Sequence, residues 1–282
     1  MEINKIIKPS TKTWNDENFP VTTWLIPAPF RKHVHLFYLC VRSADDVADS
    51  AEITPKQKSF LLTRMDGALK GTGKSDQITK LAFQHRQSAT ETGVTTKHAR
   101  RLLQAFMMDV TKSRYRNWSE LINYCLYSAV PVGRYLLDLH GCDNKPQKAT
   151  DSLCIALQIL NHIQDCKLDY IKLGRVYIPE DILKAHNTDV TALEAKHTNV
   201  KLRGALDTIL TRTDELIQIA RKEMWKISHR GLRFQTGVIV AIAENLSKKL
   251  RQRDPIAERV ELTKMQYSFC FLKGIWCVLV RV

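Results

Sequence analysis

Residues Ala156 to Pro179 read ALQILNHIQDCKLDYIKLGRVYIP. On a helix, Gln158, Asn161, Asp165 and Asp169 stand at i, i+3, i+7 and i+11, so two amides and two carboxylates share one stripe. Leu157, Ile159, Leu160 and Ile163 make the rest of this stretch apolar. The polar stripe is therefore expected to lie inside the protein. Two carboxylates one helical turn apart repel each other, and away from water they need a compensating cation. Oxygen donors of this kind suit Mg²⁺, which commonly completes its shell with water and phosphate oxygens.

The same geometry occurs earlier, in FYLCVRSADDVADS (Phe37 to Ser50). Here Tyr38, Arg42, Asp45 and Asp49 stand at i, i+4, i+7 and i+11, with Leu36, Phe37, Leu39 and Val41 on the other faces. A lone DxxxD is most often a solvated or capping acidic face. Two copies, each set in an apolar helix beside further polar residues, are harder to assign to solvent. Facing one another across a helical cavity, they would hold metal ions that bind a diphosphate.

The chain has 282 residues, 44% hydrophobic and 26% charged, with only 11 Gly and 9 Pro. Helical periodicity recurs, strand-like alternation is scarce, and no Gly- or Ser-rich linker interrupts it. The expectation is one all-α domain over residues 1–282, with 1–14 as a flexible lead and 267–282 as an apolar C-terminal segment. Lys and Arg outnumber Asp and Glu by 43 to 29, giving a net charge of +14. That excess attracts anions, but it is dispersed, and no zinc-finger spacing or other nucleic-acid motif accompanies it. A membrane surface and a diphosphate are the expected partners, not nucleic acid. Seven cysteines without a C-x-x-C argue for a reducing compartment. With no signal-peptide core and no apolar run long enough to span a bilayer, the protein is expected in the cytoplasm, peripheral on the inner membrane face.

Pro27 and Pro29 suit the first turn of a helix that continues through the first acidic stripe. The ENFPV start (Glu17 to Val21), the proline before Arg31, Tyr38, Arg42 and the ADDVAD run resemble the first signature of the squalene/phytoene synthase family. The pattern is similar in particular to its hydroxysqualene synthase branch from bacterial hopanoid pathways. Residues 55–101 read as helix, loop and helix. Gly71 to Ser75 imitates the end of a phosphate-binding loop, but Ala68 stands where the first glycine is required and no strand precedes it. Leu102 to Arg116 reads as an amphipathic helix.

WSELINYCLYSAVPVGRYLLDLHG (Trp118 to Gly141) reads as a further apolar helix with Ser119 as N-cap, bent at Pro131 and Gly133. Ser128, Ala129 and Gly133 would line a wall suited to an isoprenoid chain, or simply pack a kinked core helix. Tyr124 to Arg134 resembles the family's YC-x-x-SA-x-PVGR pattern. NHIQDCKLDYIKLGRVYIPEDIL resembles its second signature, with Arg175 and Tyr177 in the GR-x-Y-x-P segment. Gln164 stands where squalene and phytoene synthases usually carry Arg, which again looks like the hydroxysqualene synthase branch. Residues 200–229 and 236–253 carry core periodicity, and His162 is expected to pack beside the stripe. Residues 267–282 are expected either as a terminal core helix or as an interfacial anchor.

The resemblance implies the isoprenoid synthase helical bundle with a central cavity. It implies Mg²⁺ on Asp45, Asp49, Asn161, Asp165 and Asp169, and substrate contacts from Arg42, Gln158, Arg175 and Gly133. Tyr38, Tyr124 and Tyr177 would take catalytic roles, orienting the leaving group or facing a carbocation. The implied reaction converts presqualene diphosphate to hydroxysqualene by ionisation and water capture. The alternatives are head-to-head condensation of two farnesyl diphosphates and, more remotely, a non-catalytic helical scaffold at the membrane.

Overall fold

The structure is a computed structural model that describes residues 26–143 and 146–280. The lead over 1–14, the ENFPV motif and the last two residues of the C-terminal segment lie outside the described residues. Among the described residues every regular element is helical, as the periodicity requires. The chain divides into two compact units, residues 1–112 with 134–141, and residues 113–133 with 142–282.

The first unit holds α1 (Ala28–Asp49), α2 (Pro55–Lys70), α3 (Lys80–Thr92) and α4 (Lys97–Thr111). Pro27 is the N-cap of α1, as its position in the sequence suggests. The α1 residues Val34, Phe37, Cys40 and Ala44 are buried against α3 and α4. Thr54 and Gln57 form a reciprocal capping box that starts α2. The glycine-rich stretch after it is a helix connection, with Gly71 closing α2 in the left-handed region. Two boundaries differ from the sequence reading: α4 starts at Lys97 and ends at Thr111, not over 102–116. Phe37 stacks on Tyr135 at 4.0 Å, and the Tyr135 hydroxyl donates to the His33 carbonyl.

The second unit holds α5 (Trp118–Ser128), α7 (Gln147–Gln164), α8 (Cys166–Leu173), α9 (Glu180–Ala185), α10 (Val200–Glu223), α11 (Arg230–Gln252) and α12 (Lys264–Val280). Helix α6 (Val130–Leu139) begins in this unit and ends in the first. The expected bent helix over 118–141 is two helices parted at Ala129, because Pro131 has no N–H to continue the ladder of α5 and suits the first turn of α6. The N-cap of α5 is Asn117, two residues before Ser119, and the Asn117 side chain accepts from the Glu120 N–H at 3.0 Å. Helix α7 packs along α10 and α11, and α11 along α12.

Helix α12 lies on α11 through glycine. A side chain on Gly274 would place its Cβ 2.4 Å from the Val238 Cα. Cys270, Gly274, Cys277 and Val278 face α11 and are buried. Met265, Phe269, Leu272, Trp276 and Leu279 point away and are between 60% and 79% exposed. The C-terminal segment is therefore a core helix on one side only.

Candidate active site

In the first unit, α1 places Arg42, Asp45, Asp46 and Asp49 on one half-buried face, with Tyr38 a turn earlier. The Arg42 guanidinium reaches Asp45 at 2.8 Å and Asp46 at 3.2 Å, one helical turn ahead. Arg42 does not offset all of the negative charge around Asp45. Burial, then the Asp49 carboxylate, push the Asp45 carboxyl up to about 7, with Arg42 opposing and Asp46 and Asp109 adding to the rise. Asp46 and Asp109 were not singled out from sequence. Asp109 projects from α4 as an isolated acidic residue, and only the packing of α4 on α1 relates it to the DxxxD stripe.

In the second unit the polar stripe runs across a helix break. Asp165 is the last cap of α7 and the first of α8. The i to i+4 ladder nonetheless passes along the stripe: the Asp165 N–H donates to the Asn161 carbonyl, and the Asp169 N–H to the Asp165 carbonyl, at 3.0 and 2.8 Å. Asn161, Asp165 and Asp169 thus keep helical spacing, half-buried. Gln158 lies 3.2 Å from the His162 Nε2.

The cation at Asp165 comes from far along the chain. Arg259 holds both carboxylate oxygens, at 2.7 and 3.2 Å, and its other arm pairs with Glu261. Gln164, which takes the place of the arginine usual in squalene and phytoene synthases, is buried with its amide donating to the Val260 carbonyl at 2.5 Å. No motif marked Arg259, because it lies outside both acidic signatures.

The third element of the unit is aromatic. Residues 113–116 lie alongside 176–181, with backbone bonds from Val176 to Ser113, Glu180 to Tyr115 and Asp181 to Arg116. Arg114 also donates to the Gly174 carbonyl. This pairing brings Tyr115 to 5.5 Å from Tyr177 and 5.3 Å from Tyr124. His162 stacks on Tyr177 at 3.5 Å. Burial, then the nearby Arg175, hold the His162 imidazole down at about 3, so it is neutral. Tyr115 was missed from sequence, where it read as the tail of a helix. Arg175 is buried just before the cluster, its N–H on the Asp169 carbonyl at 3.2 Å.

Gly133 packs closely on α7. A Cβ there would meet Cys154 Sγ at 2.9 Å and Thr150 Cβ at 3.0 Å, so α7 fills the space its missing side chain leaves. The missing side chain lets the two helices approach closely.

The donors suit a hard divalent ion. They are all carboxylate or amide oxygens, and those around Asp45 carry more negative charge than Arg42 offsets. Among the described residues no three His, Cys, Asp or Glu side chains converge as a ready-made cage.

Comparison with known proteins bears on the whole chain. A hydroxysqualene synthase from Rhodopseudomonas palustris is 40% identical over 272 residues, covering 96% of this chain and 92% of its own. One from Sinorhizobium fredii is 38% identical, covering 89% and 85%. The crystal structure of a squalene synthase from Alicyclobacillus acidocaldarius superposes with a TM-score of 0.71 at 26% identity, covering 89% of this chain and 92% of that one. A dehydrosqualene synthase structure shares the fold, with a TM-score of 0.77 at 18% identity over 95% and 93% of the two chains. The architecture is thus the all-α isoprenoid synthase fold. Residues 14–266 match the squalene/phytoene synthase family, and the chain belongs to it as an enzyme of that type.

Proposed function

We propose that this enzyme converts presqualene diphosphate to hydroxysqualene. The observation that carries the site assignment is the placement of Asp45, raised by burial and then by the Asp49, Asp46 and Asp109 carboxylates around it, whose charge a divalent ion would offset. Gln164 in place of arginine and the 37–40% identity to hydroxysqualene synthases favour this branch. Asp45 and Asp49 on α1, and Asn161, Asp165 and Asp169 on α7 and α8, would hold Mg²⁺. When bound, Mg²⁺ supplies Lewis-acid stabilisation of the departing diphosphate.

The chain's own residues do the rest. Arg42 and Arg175 take diphosphate oxygens, and Gln158 helps to hold the neutral His162 against Tyr177. As the C–O bond breaks, the electron pair leaves with diphosphate and a cyclopropylcarbinyl cation remains. Tyr115, Tyr124 and Tyr177 offer π faces to that cation, and the neutral His162 adds no opposing charge. Tyr38 orients the leaving group. Water adds to the rearranged cation, loses a proton and becomes the hydroxyl. The product is a water-insoluble alcohol, so work at a membrane surface is part of this reading.

The test is incubation with Mg²⁺ and either presqualene or farnesyl diphosphate, without a nicotinamide, with products identified by mass spectrometry. Hydroxysqualene from presqualene diphosphate is expected. Presqualene diphosphate formed from farnesyl diphosphate would move the enzyme to the preceding condensation. Asp45→Asn and Asp165→Asn are each expected to lower turnover by about 10²-fold; unchanged turnover would refute the metal assignment.

A further inference from the structure

Among the described residues none covers the outward face of α12. Met265, Phe269, Leu272, Trp276 and Leu279 follow one another at spacings of four, three, four and three. On a helix these fall within an arc of about 80° and along about 21 Å. Their exposures are 79%, 60%, 67%, 64% and 61%. Single exposed apolar residues are ordinary, but five in one stripe mark a contact surface. The glycine contact fixes which way the stripe looks, since only the side bearing Gly274 can approach Val238 so closely.

Charge selects the occupant. Helix α12 contains no Asp or Glu; its charged residues are Lys264 and Lys273. Lys273 is taken by Glu244 at 3.1 Å, which also pairs with Arg221. A second copy of α12 would therefore present lysine to lysine, without the opposite charges that usually flank a helix seam of this spacing. The chain as a whole carries +14. No described helix is long and apolar enough to cross a membrane. Tryptophan and tyrosine are favoured at a membrane interface, and α12 carries Trp276 and Tyr267.

We propose that the outer face of α12, centred on Leu272 and Trp276, docks the protein on an anionic lipid bilayer with the helix parallel to the surface. The proposal rests on the membrane part of the function above and not on which reaction is catalysed.

The test uses the full chain with vesicles of phosphatidylcholine alone or with added phosphatidylglycerol, read by flotation, while turnover is measured separately on detergent-dispersed substrate. Binding to the anionic vesicles is expected, falling with added salt. Leu272→Glu and Trp276→Glu are each expected to weaken it about tenfold or more, with turnover on dispersed substrate unchanged. Leu272→Gln, a milder change, guards against loss of folding and is expected to weaken binding in the same direction. Binding that is equal on neutral vesicles, or unaffected by these variants, would overturn the proposal. So would a dimer in sedimentation velocity that Leu272→Glu dissolves, which would assign the face to a second copy. Failure of turnover with vesicle binding intact would count against the reaction and leave the docking face standing.

Discussion

Gly274→Ala probes how α12 is held. A Cβ at this position would sit 2.4 Å from Val238 Cα, 2.5 Å from Val238 N and 2.7 Å from Gly237 C. All three are backbone atoms, which cannot rotate away as the end of a side chain can. Ordinary contact begins at 3.4 Å, so α12 must move off α11 by about 1 Å. Overpacking of this kind costs about 1–3 kcal/mol. For a protein of this size about 2 kcal/mol lowers Tm by about 4–8 °C. The reciprocal change Gly237→Ala meets a movable methyl, Val278 Cγ2, at 2.7 Å and the Gly274 carbonyl oxygen at 3.0 Å, and should cost less. Because the same separation relieves both clashes, the double variant is expected to cost less than the sum of the two. Thermal and urea unfolding give the energies, with Ser268→Ala on the exposed side as the control. Gly274→Ala at the stability of Ser268→Ala, or strict additivity of the two glycine changes, would refute the picture of one close backbone contact.

Three further outcomes follow from the titratable groups. Burial, then the charge of His98, depress His85 to about 4 from an ordinary value of 6.5. Below pH 6.5 the unfolded chain therefore binds a proton that the folded one refuses, and stability falls between pH 6.5 and 4 by up to about 3 kcal/mol. His85→Phe should flatten that acid limb in urea titrations across pH; an unchanged slope would show that His85 does not set it. Because Asp45 titrates near neutrality, Mg²⁺ binding at pH 7 should release a substantial fraction of a proton, measured by calorimetry in buffers of different ionisation enthalpy. No release would detach Asp45 from the ion. Arg259 occupies both oxygens of Asp165, so Arg259→Gln should raise Mn²⁺ affinity severalfold in the absence of substrate, read by electron paramagnetic resonance. Unchanged affinity would mean that the arginine and the ion do not compete.

The two acidic stripes were legible because a helix repeats its neighbours every three or four residues, and both stripes are local. Even the break at Asp165 leaves that reading intact, since the backbone ladder continues through it. The aromatic partners were half legible: Tyr124 and Tyr177 lie in motifs, whereas Tyr115 joins them through backbone pairing of two loops that no periodicity announces. Asp109 and Arg259 were illegible for the same reason, being brought to their partners by packing between distant segments. The split of 118–141 into two helices was underread, because proline permits either a bend or a break and only the packing of Gly133 on α7 accompanies the choice made. At the C-terminus the composition left core and interface open; the two glycines seat one face of α12 on α11, and their value depends on what they face.

The tie between Arg259 and Asp165 spans 94 positions of chain. Gln164 and Lys167 make the same reach, to the carbonyls of Val260 and Ile256. During synthesis, then, the second acidic group emerges long before the segment that braces it. Until residue 261 or so has left the ribosome, Asp165 must rely on water for its counter-charge. A message cut short after α11 would yield a chain with both aspartate signatures and most of the helices, yet with Asp165 lacking its Arg259 partner. The second acidic stripe therefore leans on a stretch that contributes none of its carboxylates.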